Sequence, residues 1–406
     1  MRTFLVCAAA AAFTMTGIAS AQSVTLSESD VLAQLSIENP RVHAARAGVD
    51  VMRADVLAAA RLPNPRVTYN REAVAGVSEN MVMVSQPLPV TGRRRFDVGA
   101  AMARVEASSL RAEAQIRRIR ADVRLAYTDL WEAQEREREL TRSRDRLNEL
   151  AGILGKREAA GDAAGFDRLR ADREVTDVDA SRGLASADRA QAQATLASFL
   201  TAPRLNSIEA VRPATTSPML PTVDELMARA EQSRGDLLAL ARELDAAGFA
   251  EQAAARRAIP EPEVVAGTKT SNAVGGDVGS ILSVHVSIPL FDRARPERAL
   301  AQARGRQARA EADVLRQTIR AQIASWRAAV VERRAVAERH RATLATGPGA
   351  IERIAQVSYD AGERSILELL DAFRTASTAR VRQTALDAAV REAEIELEFV
   401  SGWEIP

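Results

Sequence analysis

Among the side chains that could do chemistry, Glu368 and Asp371 stand out, two carboxylates three residues apart. At that spacing they share one face of a helix. Such a pair can attract cations, line a water-filled passage with negative charge, or simply solvate a surface. Tyr359 and Arg364 lie just before them, on either side of Gly362. An earlier stretch has a related layout, with Arg157 and Gly161 preceding Asp167. Gly161 and Gly362 both interrupt helix-forming sequence, and glycine accepts the positive φ that a tight reversal needs. A third group is Arg93-Arg94-Arg95, directly after Gly92. It reads either as an ordinary basic helix start or as an anchor at lipid phosphates, where an arginine stem stays apolar while its head binds the headgroup. Cations at a helix N-terminus oppose the dipole, so a compensating group is expected nearby.

The remaining inventory excludes most enzymology. There are three histidines (His43, His285, His340) and one cysteine, Cys7, with no metal-ligand spacing. Nucleophile elbow, phosphate loop and metal-cluster patterns are all missing from the sequence. No catalytic residue, metal or cofactor is expected. Lys+Arg is 55 against Asp+Glu 54, so no basic face is forced and nucleic acid is not an expected partner. Residues 1–21 read as a secretory signal peptide: Arg2, an apolar run from Phe4 to Ile18, then Ala19-Ser20-Ala21 as a cleavage site. Cys7 falls inside it, so the mature chain is expected to lack thiols, disulfides and an N-terminal lipid.

These residues must be positioned by long helices. Ala, Glu, Lys, Leu and Arg make up about half of the 406 residues, the composition of coiled coils. Only nine Phe, three Trp and three Tyr are present, too few for a thick core. Prolines cluster at 63–65, 87–89, 203–221, 260–262 and 289–296, and none occurs from Val90 to Ala202. Because proline is costly inside helices and sheets, the clusters mark boundaries. From Arg93 to about Glu158 a heptad seam runs through Ile119, Ala126, Ala133, Leu140, Leu147 and Leu154. A helix of that length spans roughly 100 Å, so the molecule must be elongated.

The clusters also expose a duplication. Pro63-Asn64-Pro65-Arg66-Val67 matches Pro260-Glu261-Pro262-Glu263-Val264, Val84-Ser85-Gln86-Pro87-Leu88 matches Val286-Ser287-Ile288-Pro289-Leu290, and Ala160-Gly161 matches Ala361-Gly362. Each copy reads helix, strand, strand, long helix, glycine turn, long helix. The expected division is N-terminal helices at 22–62, a first β-hairpin at 63–90 and a first long helical hairpin at 91–202. A linker at 203–221 leads to helices at 222–259, a second β-hairpin at 260–291 and a second long helical hairpin at 292–406. Thr222-Val223-Asp224-Glu225 opens the second copy as a capping box. In the strands, Leu282, Val284, Val286 and Ile288 alternate with Ser283, His285 and Ser287, and Val82 and Val84 alternate with Met81, Met83 and Ser85. That is the pattern of an outer-membrane barrel strand, and of any half-buried strand. Four strands cannot close a barrel, and an open edge cannot exist in lipid, so membrane-embedded strands would have to be pooled among several chains.

At this point the mature chain resembles the TolC family of outer-membrane efflux ducts. The most specific piece is Tyr359-Asp360-Ala361-Gly362-Glu363-Arg364-Ser365-Ile366-Leu367-Glu368-Leu369-Leu370-Asp371. The turn from Pro87 to Arg95 looks most like the heavy-metal, cobalt–zinc–cadmium-type branch. The resemblance implies a mainly α fold with a small membrane β part. It implies a homotrimer that pools four strands per chain into a 12-stranded barrel, above a periplasmic α-barrel with an equatorial belt. Glu368 and Asp371 would ring a periplasmic gate, Tyr359 and Arg364 would tie it shut, and Asp167 would sit on the partner tip. Phe166 and the longer Glu368 depart from the family pattern there. Hairpin tips at Arg157, Gly161 and Gly362 would dock a periplasmic membrane-fusion adaptor, and the complex would include an inner-membrane transporter, most simply of the RND type. The expected function is passive export through a tripartite efflux system, with metal cations and drugs both open as cargo. The competing reading is a periplasmic coiled-coil adaptor or scaffold with no barrel. Two helical hairpins and two strand pairs favour the duct.

Overall fold

A computed structural model of the chain describes residues 24–161, 165–201, 208–213, 219–273 and 275–403. The expected signal peptide, with Cys7, lies outside the described residues, as does most of the 203–221 linker. The first copy comprises β1 (Val24–Leu26), α1 (Glu28–Ala33), α2 (Pro40–Ala60), β2 (Arg66–Val74), β3 (Val77–Pro87), α3 (Arg93–Ala160) and α4 (Gly165–Ala197). The second comprises β4 (Ile208–Ala210), α5 (Val223–Ser233), α6 (Gly235–Arg257), β5 (Pro262–Ser271), β6 (Val278–Val286), α7 (Arg295–Thr346), α8 (Pro348–Asp360) and α9 (Ile366–Ser401).

The proline-free stretch opens with one helix of 68 residues, α3, about 100 Å at 1.5 Å per residue, and returns as α4. In the second copy the corresponding helix is broken at Gly347-Pro348, because proline supplies no N–H and α8 starts on it. Thr222 and Glu225 do form the reciprocal cap of α5. Helices stand as staves of a wall. In the upper half the order is α2, α3, α6, α7; in the lower half it is α4, α3, α9, then α7 and α8. Thus α3 runs the full length and α7 continued by α8 does so in the second copy, while α2 stacks on α4 and α6 on α9. At the first junction Asn39 Nδ2 donates to Phe199 O at 2.8 Å, and Arg41 lies 4.3 Å from the Phe199 ring centroid. At the second, Arg234 Nη1 donates to Val400 O at 3.2 Å and stands 5.1 Å from the Phe399 ring centroid. A helix C-terminus meets a helix N-terminus at each, so the dipoles align favourably.

Midway along α3 a small two-stranded belt packs against the wall. β1 and β4 pair in parallel, and both are pinned from α3. The Tyr127 hydroxyl donates to Leu26 O at 2.9 Å and to Val211 O at 2.7 Å. Fully buried Gln134 donates to Ile208 O and accepts from Ala210 N. By sequence this β4 segment belongs to the linker; a three-residue strand carries no readable period.

The four long strands form one antiparallel sheet in the order β2-β3-β5-β6. The first hairpin turns on Ala75 (φ 52°) and Gly76 (φ 83°), between the paired Val74 and Val77. Positive φ at both central residues suits the twist of the strands. β6 ends at Val286, so Ile288 lies beyond the ladder. Gly267 is required where β3 and β5 meet, since a Cβ there would stand 2.3 Å from Val82 O. Register places Val67, Tyr69, Val82, Val84, Leu282, Val284 and Val286 on one face, all exposed. Thr68, Asn70, Glu79, Lys269, Ser283 and His285 occupy the other, where Lys269 pairs with Glu79 at 2.6 Å. β2 and β6 each leave one edge unpaired within the chain.

Candidate functional site: the two ends of the helical wall

The lower end is built by two reversals. Gly161 (φ 83°) donates its N–H to the carbonyls of Arg157 and Glu158, and Gly362 (φ 74°) follows α8. Both are αL turns that a Cβ would strain. An apolar cluster of Leu147, Leu150 and Leu154 from α3, Ala171 from α4, Ala355 from α8, and Ile366, Leu369 and Leu370 from α9 joins the two hairpins. Tyr359 packs on that cluster, with the Arg157 guanidinium 5.8 Å from its ring centroid. Burial pushes the Tyr359 hydroxyl up; the Arg157 charge opposes this and the Asp167 charge reinforces it. Tyr359, Arg157 and Asp167 are therefore brought together across the two tips.

Arg364 and Glu368 also meet, with Nη1 to Oε1 at 3.0 Å. The other Glu368 oxygen accepts from the Ser365 N–H at 3.0 Å, completing the α9 cap. Glu368 is thus fastened to its own helix start, while Asp371 pairs separately with Arg374 at 2.9 Å. Within one chain the two acids do not act on a common partner.

Above the tips lies a group that sequence reasoning misses. Glu352 on α8 accepts from Arg146 on α3 at 2.9 Å and from Arg380 on α9 at 2.6 Å. Arg380 also holds Glu139 of α3 at 2.9 Å. Glu352 and Glu139 are both buried. Nothing in local spacing reveals this clasp, because its members come from three helices distant in sequence.

At the upper end, Arg93 stands 3.6 Å from Asp97, the compensation that the basic helix start required. Arg93 and Arg94 line an open cavity of about 1120 Å³ beneath the sheet, whereas Arg95 lies outside that lining. His285 lies on the polar sheet face opposite Glu263. Among the described residues no group of three His, Cys, Asp or Glu side chains is placed to hold a metal. No described helix is long and apolar enough to cross a membrane.

The chain matches the model of the outer membrane efflux protein family over residues 31–202 and 226–402. No individual curated protein sequence matches it. Among solved structures it is similar to a membrane protein from Pseudomonas aeruginosa, with TM-score 0.76 and 22% identity, covering 92% of this chain and 93% of that one. It is similar to the outer membrane protein VceC from Vibrio cholerae, with TM-score 0.75 and 16% identity over 93% and 96% of the two chains. It is also similar to CusC, with TM-score 0.73 and 18% identity over 92% and 91%. The family is one of transport channels, not of enzymes. With its four-stranded sheet above a wall of long helices, the chain belongs to the outer membrane efflux protein family, and it is an outer-membrane duct of tripartite efflux whose helical part stands in the periplasm.

Proposed function

We propose that three copies close their sheets edge to edge into one 12-stranded barrel and their helical walls into one tube. The observation that carries this reading is the sheet itself. Its apolar face is exposed along its length, and both edges lack partners within the chain. In lipid each unpaired backbone group costs several kcal/mol, so β2 of one copy must take β6 of the next. The apolar face then meets hydrocarbon and the face with Glu79, Lys269 and His285 meets water. Phe291, 98% exposed just past β6, sits where an aromatic girdle belongs.

The lower end is the periplasmic entrance. Its gate comprises Tyr359, Arg364, Glu368, Asp371 and Asp167; the tips at Arg157, Gly161 and Gly362 dock the hairpins of a periplasmic adaptor. An inner-membrane transporter of the RND type supplies the energy. The headgroup anchor comprises Arg93, Arg94 and Arg95, of which Arg95 alone lies outside the cavity beneath the sheet and is free of any cavity role.

Detergent extraction followed by light scattering tests the assembly. A particle of three chains that conducts ions in planar bilayers is expected. A monomer that leaves the cell envelope without detergent would sink the reading.

A further inference from the structure

The cavity below the sheet is touched by all four upper staves, α2, α3, α6 and α7. α2 and α7 are the outermost staves, so a space that both reach lies on the concave side of the wall. Pro87, in register with the polar face of the sheet, lines it as well. In the closed trimer this is the tube interior immediately under the barrel.

Its charge is unbalanced. Arg61, Arg93, Arg94, Arg104, Arg257 and Arg304 line it against Asp55, Asp97, Glu261 and Glu297. Arg93 pairs with Asp97 and Arg257 pairs with Glu297 at 2.7 Å, while Glu261 accepts from the Thr91 hydroxyl at 2.7 Å. Arg61, Arg94, Arg104 and Arg304 have no ion-pair partner among the described residues. Arg104 and Arg304 also line the next space down, between α3, α6 and α7, where Arg111 is already paired with Glu243. Six arginines against four acids leave two positive charges per chain, hence six around a trimer. Arg94 sits in the first turn of α3, where a cation opposes the helix dipole.

We propose that Arg61, Arg94, Arg104 and Arg304 form an electropositive collar that binds and admits multiply charged anions, phosphates or carboxylates, on their way out. The inference rests on the trimeric-duct reading above. A guanidinium offers paired donors to such oxyanions, and fixed charge around a narrow aqueous passage concentrates the opposite ion. The same collar opposes the passage of free cations. It reassigns Arg94 from lipid contact to cargo contact.

Planar-bilayer recording of the full-length protein tests this, with sodium pyrophosphate added on the barrel side. Wild-type current is expected to fall as pyrophosphate rises, and high salt should relieve the block. The quadruple variant R61Q/R94Q/R104Q/R304Q should need at least about ten-fold more pyrophosphate for the same block. Its reversal potential in a KCl gradient should move toward cation preference. Should the quadruple variant fail to assemble, the double variant R104Q/R304Q is expected to show a smaller shift of the same sign. Conducting wild-type trimers that ignore pyrophosphate, or variants blocked equally with unchanged selectivity, overturn the collar alone. A wild-type protein that forms no conducting trimer overturns the duct reading beneath it.

Discussion

The two helical hairpins follow one plan but differ in mechanics. In the first, α3 runs unbroken from the sheet to its tip, 68 residues without a proline. In the second, the equivalent length is divided by Gly347-Pro348 into α7 of 52 residues and α8 of 13. The short α8 carries Tyr359, and α9 after it carries Arg364's partner Glu368 and Asp371. A duplicated architecture has thus become one unbroken stave and one jointed stave, and four of the five proposed gate residues, all but Asp167, lie on the jointed side. Glu352 lies just below the joint and fastens α8 to both α3 and α9. The segment beyond the joint is therefore held by a charged clasp as well as by apolar packing.

Removing the clasp is the strongest way to break this comparison. The Glu352 side chain is 11% exposed and faces two arginines. Glu352→Ala leaves Arg146 and Arg380 without that acid; both arginines are partly solvated and Arg380 keeps Glu139, so the loss is about 1–3 kcal/mol. The lower tube should melt earlier by circular dichroism, and resting conductance in bilayers should rise. Unchanged melting and conductance would show that the clasp holds nothing.

The gate contacts come next. Tyr359→Phe combined with Arg364→Glu removes the hydroxyl at the tip and sets a second carboxylate beside Glu368, replacing the 3.0 Å ion pair with a like-charge pair at i, i+4. Higher closed-state conductance is expected, on a smaller scale than with the clasp. Closed-state conductance equal to wild type counts against the gate assignment.

Stiffening the joint should act in the opposite direction. A Cβ added at Gly349 would meet no atom within 4 Å, so alanine fits there without a clash. Gly349→Ala with Pro348→Ala restores helix propensity and a backbone N–H, the glycine change alone being worth about 1 kcal/mol. The second hairpin then resembles the first, and opening events in single-channel records should become rarer. An unaltered opening frequency would place the moving element elsewhere.

How much of this is legible in the sequence depends on the range of the interaction. Strand alternation at Val82 and Val84 and at Leu282 to Val286, proline boundaries, and the reversals at Gly161 and Gly362 are local signals, and the fold class follows from them. The duplication also shows in the sequence, because both copies keep the same punctuation. The belt does not show: β1 and β4 are three residues each and pair across more than 180 positions. Tyr127 and Gln134 look like ordinary helix residues until their acceptors are seen. The same holds for Glu352, and for the four collar arginines, which come from three separate helices or their ends and share a surface only after the staves align. Glu368 is legible as a carboxylate, but not as the cap of its own helix until the hydrogen bond to Ser365 is in place.

The smallest expected effect concerns the belt, where β1 and β4 are fastened to the unjointed stave α3. Tyr127 is 1% exposed, and burial pushes its hydroxyl up to about 12 from the ordinary 10. In the unfolded chain the phenol loses its proton near 10, while the folded chain keeps it until about 12. Between those values unfolding releases a proton, so rising pH favours the unfolded state and this part of the stability declines. Tyr127→Phe removes the donor to Leu26 O and Val211 O and should lower stability by about 1 kcal/mol near neutral pH. It should also remove that alkaline decline, so the gap between variant and wild type narrows as pH rises from about 10 toward about 12. Thermal melts followed at the helix band, at neutral pH and at both ends of that window, measure the gap. A gap that stays constant would mean that the buried hydroxyl does not couple the belt to protonation, and that the staves are held there by packing of Val123, Leu130 and Ile208 alone.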